Sequence, residues 1–522
     1  VWFFSIVSPE LPGIFMDSLS HRVLLISCMA ICFLTGWTAI TGGSLWIDEF
    51  GTWLITRAEN LPTWWLRLKG WPDSDSQIPL YHLFMYFWTR LFGTDALVMR
   101  LSNLILFLLA NFILILPFRS SPRLALALTV TTCLNAFLWY YLNELRPYIF
   151  LYLGVAMLYT STIMLLKPGT EINRLGGAVA LWCSGMLVST GSSVLGFPWA
   201  GACFLFILVY WYFNRKRNLW LFVKFHGWIV AVSFIAGTLL LVHNFQMFFN
   251  GARATQMFNT NLQTMLFSAY SICGLLGIGP GMLAMREHGI TALLPYIPLV
   301  AISCTVLIVV TAGGLLSLLH RVGVKTIWML MAFTLLPVMF TFSLGYVLHW
   351  RVVGRHLMPV LPLIGMLYAF GLVWWYQKGR SGKAITIAAI FILSLSALSI
   401  RYAPRHEKDD YLRASVMAKE MLDRGGEVWW IADERGALYY NVPFSVIGEE
   451  RPNLPQHNYA KVLSKTNPKS LEASVCPTMV LLSKPETFDA QSIVRNFLKA
   501  HGYEQSGTMQ AFTVWEPRGG GG

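Results

Sequence analysis

The sequence predicts a polytopic α-helical membrane protein of about eleven spans with a C-terminal α/β domain outside the bilayer. Three observations predict it. The 522 residues are 55% hydrophobic and only 12% charged, half the charge of soluble domains, and the mean hydropathy is +0.55. Eleven apolar stretches reach or approach the roughly twenty residues that a spanning helix needs. The last 120 or so residues then change character, with fifteen Lys/Arg and fifteen Asp/Glu in 401–522. This composition excludes an ordinary soluble enzyme and, with 14% aromatic residues, a disordered chain.

The spans lie near 22–40, 97–118, 124–142, 147–166, 175–193, 195–213, 219–241, 293–319, 326–348, 356–376 and 384–400. With the N-terminus inside, five consecutive inner loops carry Arg119/Arg123, Lys167/Arg174, Arg215/Lys216/Arg217, Arg321/Lys325 and Lys378/Arg380/Lys383, against the single acid Glu171. This positive-inside bias sets the orientation. It also accounts for the net charge of +13 better than nucleic-acid binding, because the basic residues are scattered between spans rather than clustered. Met16 opens MDSLSHR directly before the first apolar stretch and reads as the native start; Gly519–Gly522 reads as a linker or scar. The eight cysteines contain no CxxC pair and no zinc spacing.

Two domains follow: a membrane domain over 16–400 and a soluble extracytoplasmic α/β domain over 401–518. Three segments fall outside the membrane: 41–96, 242–292 and the chain after about 401. In the first, 49–58 and 78–92 read as amphipathic helices, and Trp53, Trp64, Trp65, Trp71 and Trp88 suit a membrane–water interface. In the last, 409–425 reads as an amphipathic helix ending in glycine, VWWIAD (428–433), TMVLLSK (478–484) and FTVWEP (512–517) as strands, and 491–501 as a helix. GIGPG at 277–281 lacks the lysine of a phosphate loop and reads as a turn.

The acids locate the chemistry. Of eleven Asp/Glu in 1–400, eight map to the outer side: Asp48, Glu49, Glu59, Asp73, Asp75, Asp95, Glu144 and Glu287. The middles of the spans are nearly free of the ionisable groups that mark pumps. Asp48–Glu49, in SLWIDEFGTW, admits two readings. Asp48 is the N-cap of a helix over 49–58, or a desolvated carboxylate acting as general base. Arg146, in the segment Glu144-x-Arg146-Pro147-Tyr148, and Arg355, beside Arg351 and His356, stand at outer helix starts against both dipole and positive-inside preferences. Either snorkels to headgroups; two on one face suggest an anion pocket, because guanidinium grips phosphate through a planar fork. His82, in PLYH, is a substrate contact or an interface residue. Asn103, Asn111 and Asn135 are read as interhelical hydrogen bonders.

SLWIDEFGTW, QIPLYHLFMYFWTRLFG with MRLSNL, WYYLNELRPYIF and GRHLMPVLPLI together resemble, in that order over 1–400, the bacterial members of the protein O-mannosyltransferase and aminoarabinose transferase superfamily. These are integral-membrane glycosyltransferases of GT-C type. The resemblance implies transfer of a sugar, with inversion, from a polyprenyl-phosphate donor to a lipid, glycan or protein acceptor on the outer face of a bacterial plasma membrane, with the bilayer and no nucleic acid as partner. It assigns Asp48 as the base with Glu49 as its neighbour. Arg146 and Arg355 become phosphate ligands, and Glu144 orients Arg146 or binds sugar. Tyr148, Arg100, His82 and His356 complete the implied substrate site, Arg100 having a structural reading as well. Some relatives bind a divalent metal, for which Asp73 and Asp75 are the candidate ligands; no other cofactor is implied. PLYH stands where relatives have PLYY. A polymerase or ligase using a pyrophosphate-linked donor and a transporter or flippase for a lipid-linked sugar are the alternatives.

Overall fold

A computed structural model describes residues 18–72, 74–166, 175–214, 216–249, 260–446, 459–463 and 476–518. Met16, Asp73, the loop carrying Lys167, Glu171 and Arg174, Arg215 and Gly519–Gly522 lie outside these residues.

Among the described residues nine helices are long and apolar enough to cross a membrane, or ten if the bent pair Pro122–Cys133 and Ala136–Leu142, at 59° to one another, forms one span. The expected span at 175–193 is the helix Gly176–Ser192, whose 17 residues sit at the lower end of the spanning range. The last two spans before the Gly354 turn are one helical stretch, Ile297–Val347, broken where Gly323 adopts φ 75°. Only glycine takes that conformation without strain, so one residue divides 51 residues into two spans.

Tyr148–Leu166 and Gly176–Ser192 pack most closely. A Cβ on Gly185 would stand 2.8 Å from the Gly154 carbonyl, and one on Gly154 would stand 2.6 Å from the Ser189 amide. Small residues let backbones approach where lipid offers no hydrophobic drive for association. Gly185→Leu must therefore force the helices apart, at about 1–3 kcal/mol for overpacking; a lowered Tm in detergent is the expected result, and an unchanged one would contradict this packing. The three asparagines bond across segments as expected. Asn103 Nδ2 donates to the Glu144 carbonyl at 2.7 Å, Thr132 Oγ1 donates to Asn111 Oδ1 at 2.7 Å, and Asn135 Nδ2 donates to the Ile272 carbonyl.

The three segments expected outside gather at one end of the bundle. His243 meets the Ser76 carbonyl at 2.9 Å, Tyr440 Oη accepts from the Leu45 amide at 2.8 Å, and Arg405 donates to the carbonyls of Gly279 and Gly277, fixing the GIGPG turn. The first segment folds as helices Ile47–Thr56, Leu61–Lys69 and Pro79–Phe92 with a short 3-10 turn at Ser74–Gln77. Its tryptophans divide: Trp65 is exposed, but Trp53 and Trp64 are buried. The expected interfacial role fails for these two because each has a protein partner. Trp53 packs edge-on against Tyr439 at 5.0 Å, and Trp64 belongs to a small core with Ile55, Leu68 and Tyr86.

The C-terminal domain carries six strands among the described residues: β1 (Val428–Ile431), β2 (Phe444–Val446), β3 (Ala460–Val462), β4 (Met479–Ser483), β5 (Tyr503–Met509) and β6 (Phe512–Pro517). They form one sheet in the order β2-β3-β1-β4-β6-β5. The first four strands in that order run parallel; β6 is antiparallel to β4, and β5 to β6. The period-2 alternation of β1 sends Trp429 to one face, with Leu498 and Trp515, and Trp430 to the other. The Trp430 face packs on helix Tyr411–Asp423, whose Tyr411 meets Phe50 of the first segment edge-on at 5.1 Å. Sheet, helix and first segment thus share one apolar cluster.

Candidate functional site

Beneath this domain, helix Ile47–Thr56 begins one residue before Asp48. Asp48 is not its N-cap. Glu49 reaches back instead, and its Oε2 accepts from the Trp46 amide at 3.1 Å. The two neighbouring acids consequently face different surroundings.

Glu49 is fully buried and its oxygens are taken up. Arg100 donates to Oε1 from Nε at 3.1 Å and to Oε2 from Nη2 at 2.8 Å, and the Leu145 amide adds a bond at 2.8 Å. Burial alone would raise the Glu49 pKa; Arg100 first, then Lys408, reverse this and hold it below its ordinary value. Arg100 also donates to the carbonyls of Thr41, Gly43 and Ser44. With every guanidinium N–H engaged, no donor remains for phosphate, and the implied substrate role gives way to a structural one. The pair ties the chain at 41–46, the helix Ala96–Ile115 and the turn at Leu145 to one point.

Asp75 is buried beside Arg146, whose Nη1 stands 2.5 Å from Oδ1, with His82 Nε2 3.5 Å from the same oxygen. Burial raises the Asp75 carboxyl, but Arg146 and His82 outweigh it and bring the pKa down to about 2; His82, wholly buried, is pushed below its ordinary value by the same desolvation. A carboxylate with a depressed folded-state pKa stabilises fully above its unfolded value of about 3.9 and loses that contribution as pH falls through about 2. The Tm difference between wild type and Asp75→Asn is therefore expected to be flat from pH 8 to about 5 and to shrink only in stronger acid. A difference that changes between pH 6 and 8 would contradict the pairing.

Glu144 is 1% exposed. Its nearest cation is Lys408, with Nζ 3.5 Å from Oε2; Lys408 also donates to the Asn143 carbonyl at 2.5 Å and lies 5.3 Å over the Tyr140 ring. Burial pushes Glu144 up and Lys408 down, outweighing their mutual attraction. Lys408 arrives from the link between the last span and the C-terminal domain. No motif or periodicity in the sequence marks it; it lies within the charged run RHEKDD at 405–410.

Asp48 differs from the other three acids. Its side chain is 35% exposed and its Oδ2 lies 4.0 Å from Nη1 of Arg355, itself 28% exposed. Arg146 Nη1 donates to the Asp48 carbonyl at 3.3 Å, and the Arg355 guanidinium stands 5.9 Å from the Tyr148 ring. His356 is adjacent but engaged, its Nδ1 accepting from the Val353 amide at 3.1 Å. The four carboxylates Asp48, Glu49, Asp75 and Glu144 are thus matched singly by Arg355, Arg100, Arg146 and Lys408. Three pairs are buried; Asp48–Arg355 is long and open. Arg146, expected as a free phosphate ligand, is committed to Asp75.

No three His, Cys, Asp or Glu residues among the described side chains converge as ligands, and Asp75 Oδ1 faces Arg146 and His82 instead.

No protein-family model matches the sequence, and no curated protein matches it significantly. Solved structures do resemble it. ArnT from Cupriavidus metallidurans bound to undecaprenyl phosphate aligns with a TM-score of 0.50 at 11% identity, over 96% of this chain and 98% of that one. The same protein in the apo state gives 0.48 at 13% identity, over 96% and 98%. The mycobacterial arabinofuranosyltransferase AftD gives 0.42 at 14% identity, over 95% of this chain and 40% of that one. The first likeness establishes the fold: a polytopic helical membrane domain of GT-C type carrying a small C-terminal α/β domain.

Proposed function

We propose that this protein is a membrane glycosyltransferase that moves a sugar from a polyprenyl-phosphate donor to an acceptor hydroxyl at the extracytoplasmic face of a bacterial plasma membrane. The observation that carries the reading is the open Asp48–Arg355 pair, set among three buried and neutralised acid–base pairs. Asp48 is free to take a proton and Arg355 free to take a phosphate. The fold shared with ArnT, a protein crystallised with undecaprenyl phosphate, supports the donor class.

In the reaction the acceptor oxygen attacks the anomeric carbon while Asp48 takes the hydroxyl proton as general base. The bond from that carbon to the phosphate oxygen breaks, and its electron pair leaves with the phosphate, whose charge Arg355 meets. Glu49–Arg100 and Arg146–Asp75 hold the backbone on either side of Asp48 and act as positioning pairs. A single displacement needs one base, not the two flanking carboxylates of a glycosidase.

The test is label transfer by purified protein in lipid from a panel of radiolabelled undecaprenyl-phosphate sugars to an envelope acceptor fraction. Single additions from a monophosphate donor are expected. A ladder of products built only from a pyrophosphate-linked donor would favour a polymerase or ligase. Cargo uptake into sealed vesicles without transfer would favour a transporter.

A further inference from the structure

Helix Ile47–Thr56, which carries Asp48, has 10 residues, fewer than the roughly 12–15 that an isolated helix needs to persist in water. Its order therefore depends on what covers its apolar face. That face is formed by Phe50 and Trp53, both buried, and continues into Trp46 just before the helix. The rings packed on it come from the C-terminal domain. Phe50 meets Tyr411, Tyr439 and Tyr440 at 5.1, 5.8 and 6.2 Å, and Trp53 meets Tyr439 at 5.0 Å. Lys484 Nζ lies 5.4 Å over the Trp46 ring, and Tyr440 Oη accepts from the buried Leu45 amide. Gly436 permits the close fit, since a Cβ there would stand 2.5 Å from the Tyr411 ring and 3.1 Å from the Phe50 ring.

The membrane domain holds the helix from other sides. Glu49 is fixed by Arg100 and the Leu145 amide, and Thr52 Oγ1 donates to the Leu145 carbonyl at 2.9 Å. At about 100° per residue, Asp48 falls roughly opposite Phe50 and Trp53, where its Oδ2 faces Arg355. Asp48 thus stands on a short helix wedged between two domains, and the C-terminal domain packs on the side away from the chemistry. Tyr439 meets both Phe50 and Trp53, one turn apart, so losing its ring gives the helix room to tilt and carries the Asp48 carboxylate with it. A misplacement of about 1 Å caused far from the reacting atoms can cost about 10²-fold in rate.

We infer that Tyr439 and Tyr440 are positioning residues for the transfer reaction: through Phe50, Trp53 and the Leu45 amide they let the C-terminal domain set where the Asp48 carboxylate stands. The inference rests on the reading of Asp48 as general base. It adds to that reading a part for the C-terminal domain in the chemical step, exerted through the helix that bears the base.

The experiment measures transfer by the full-length protein in lipid, from the undecaprenyl-phosphate sugar that wild type uses best. The kcat is counted per site titrated with undecaprenyl phosphate in the same preparation, so that unfolded protein does not enter. Tyr439→Leu is expected to lower kcat at least about tenfold while the Kd for undecaprenyl phosphate stays within about twofold, and Tyr439→Phe, which keeps the ring, to restore most of the rate. In an Asp48→Asn background, Tyr439→Leu is expected to change the residual rate by less than about twofold, because the group it positions is gone. If Tyr439→Leu yields no folded protein, Tyr440→Phe, which removes only the hydroxyl at the Leu45 amide, is expected to lower kcat about threefold with Kd unmoved. An unchanged kcat per site, a Kd that weakens in step with kcat, or an equal loss with and without Asp48 would overturn the inference while leaving glycosyl transfer intact. Wild type that moves no sugar from any donor would instead remove the reading on which it stands.

Discussion

Asp48→Asn is expected to lose about 10²- to 10⁴-fold in kcat, the range a positioned general base supplies, with the fold intact. The amide cannot take the acceptor's proton, but its shape and size are those of the acid. Because the side chain is partly exposed and its one ion pair is 4.0 Å long, removing the charge strands no buried partner, and stability should stay within about 0.5 kcal/mol. Arg355 keeps its own charge, so the KM for donor should move far less than kcat. Rates measured with saturating donor, beside a melting curve of the same preparation, separate these outcomes. Full activity in Asp48→Asn would place the base elsewhere.

Arg100→Met is expected to be the most damaging substitution for stability. The arginine is completely buried, and losing it leaves Glu49 without its ion-pair partner and the carbonyls of Thr41, Gly43 and Ser44 without donors. Breaking one side of a buried pair costs about 3–5 kcal/mol. Lysine should not rescue it, because three rotating donors cannot replace a planar fork that serves both carboxylate oxygens and three carbonyls at once. The double variant Glu49→Gln, Arg100→Met should lose less than the two single changes combined, since the stranded charge is gone. Thermal unfolding in one detergent across the four proteins tests this; strictly additive losses would contradict a direct pair.

The spans were readable because each is a long apolar run, and lipid leaves a helix few alternatives. In the C-terminal domain the readable strands were those dense in β-branched and aromatic residues, such as β1 and β6. Strands β2 and β3 carry three residues each among the described positions, too short for a period to register. Strand β5, YEQSGTM, is the sheet's edge and mostly exposed, so it lacks the apolar alternation that burial imposes on an inner strand.

At the site, the sequence marked Asp48, Glu49, Arg146 and Arg355 but not their divisions of labour. Adjacent acids look alike in sequence, and only the helix start at Ile47 turns Glu49 inward and leaves Asp48 open. Arg146 meets Asp75 across 71 positions and Lys408 meets Asn143 across 265; pairings over such distances leave no local trace. The tryptophans of the first segment misled for the same reason, since Trp53 looks interfacial until Tyr439, nearly four hundred residues later, covers it.

The central claim is a single displacement at the anomeric carbon with Asp48 as its one base. The most direct test is the anomeric configuration of the product, read from the anomeric-proton coupling in NMR after one turnover of a donor of known configuration. Inversion is the predicted result. Retention would require a covalent or two-step route, and the site as described, with one open carboxylate, would not explain it.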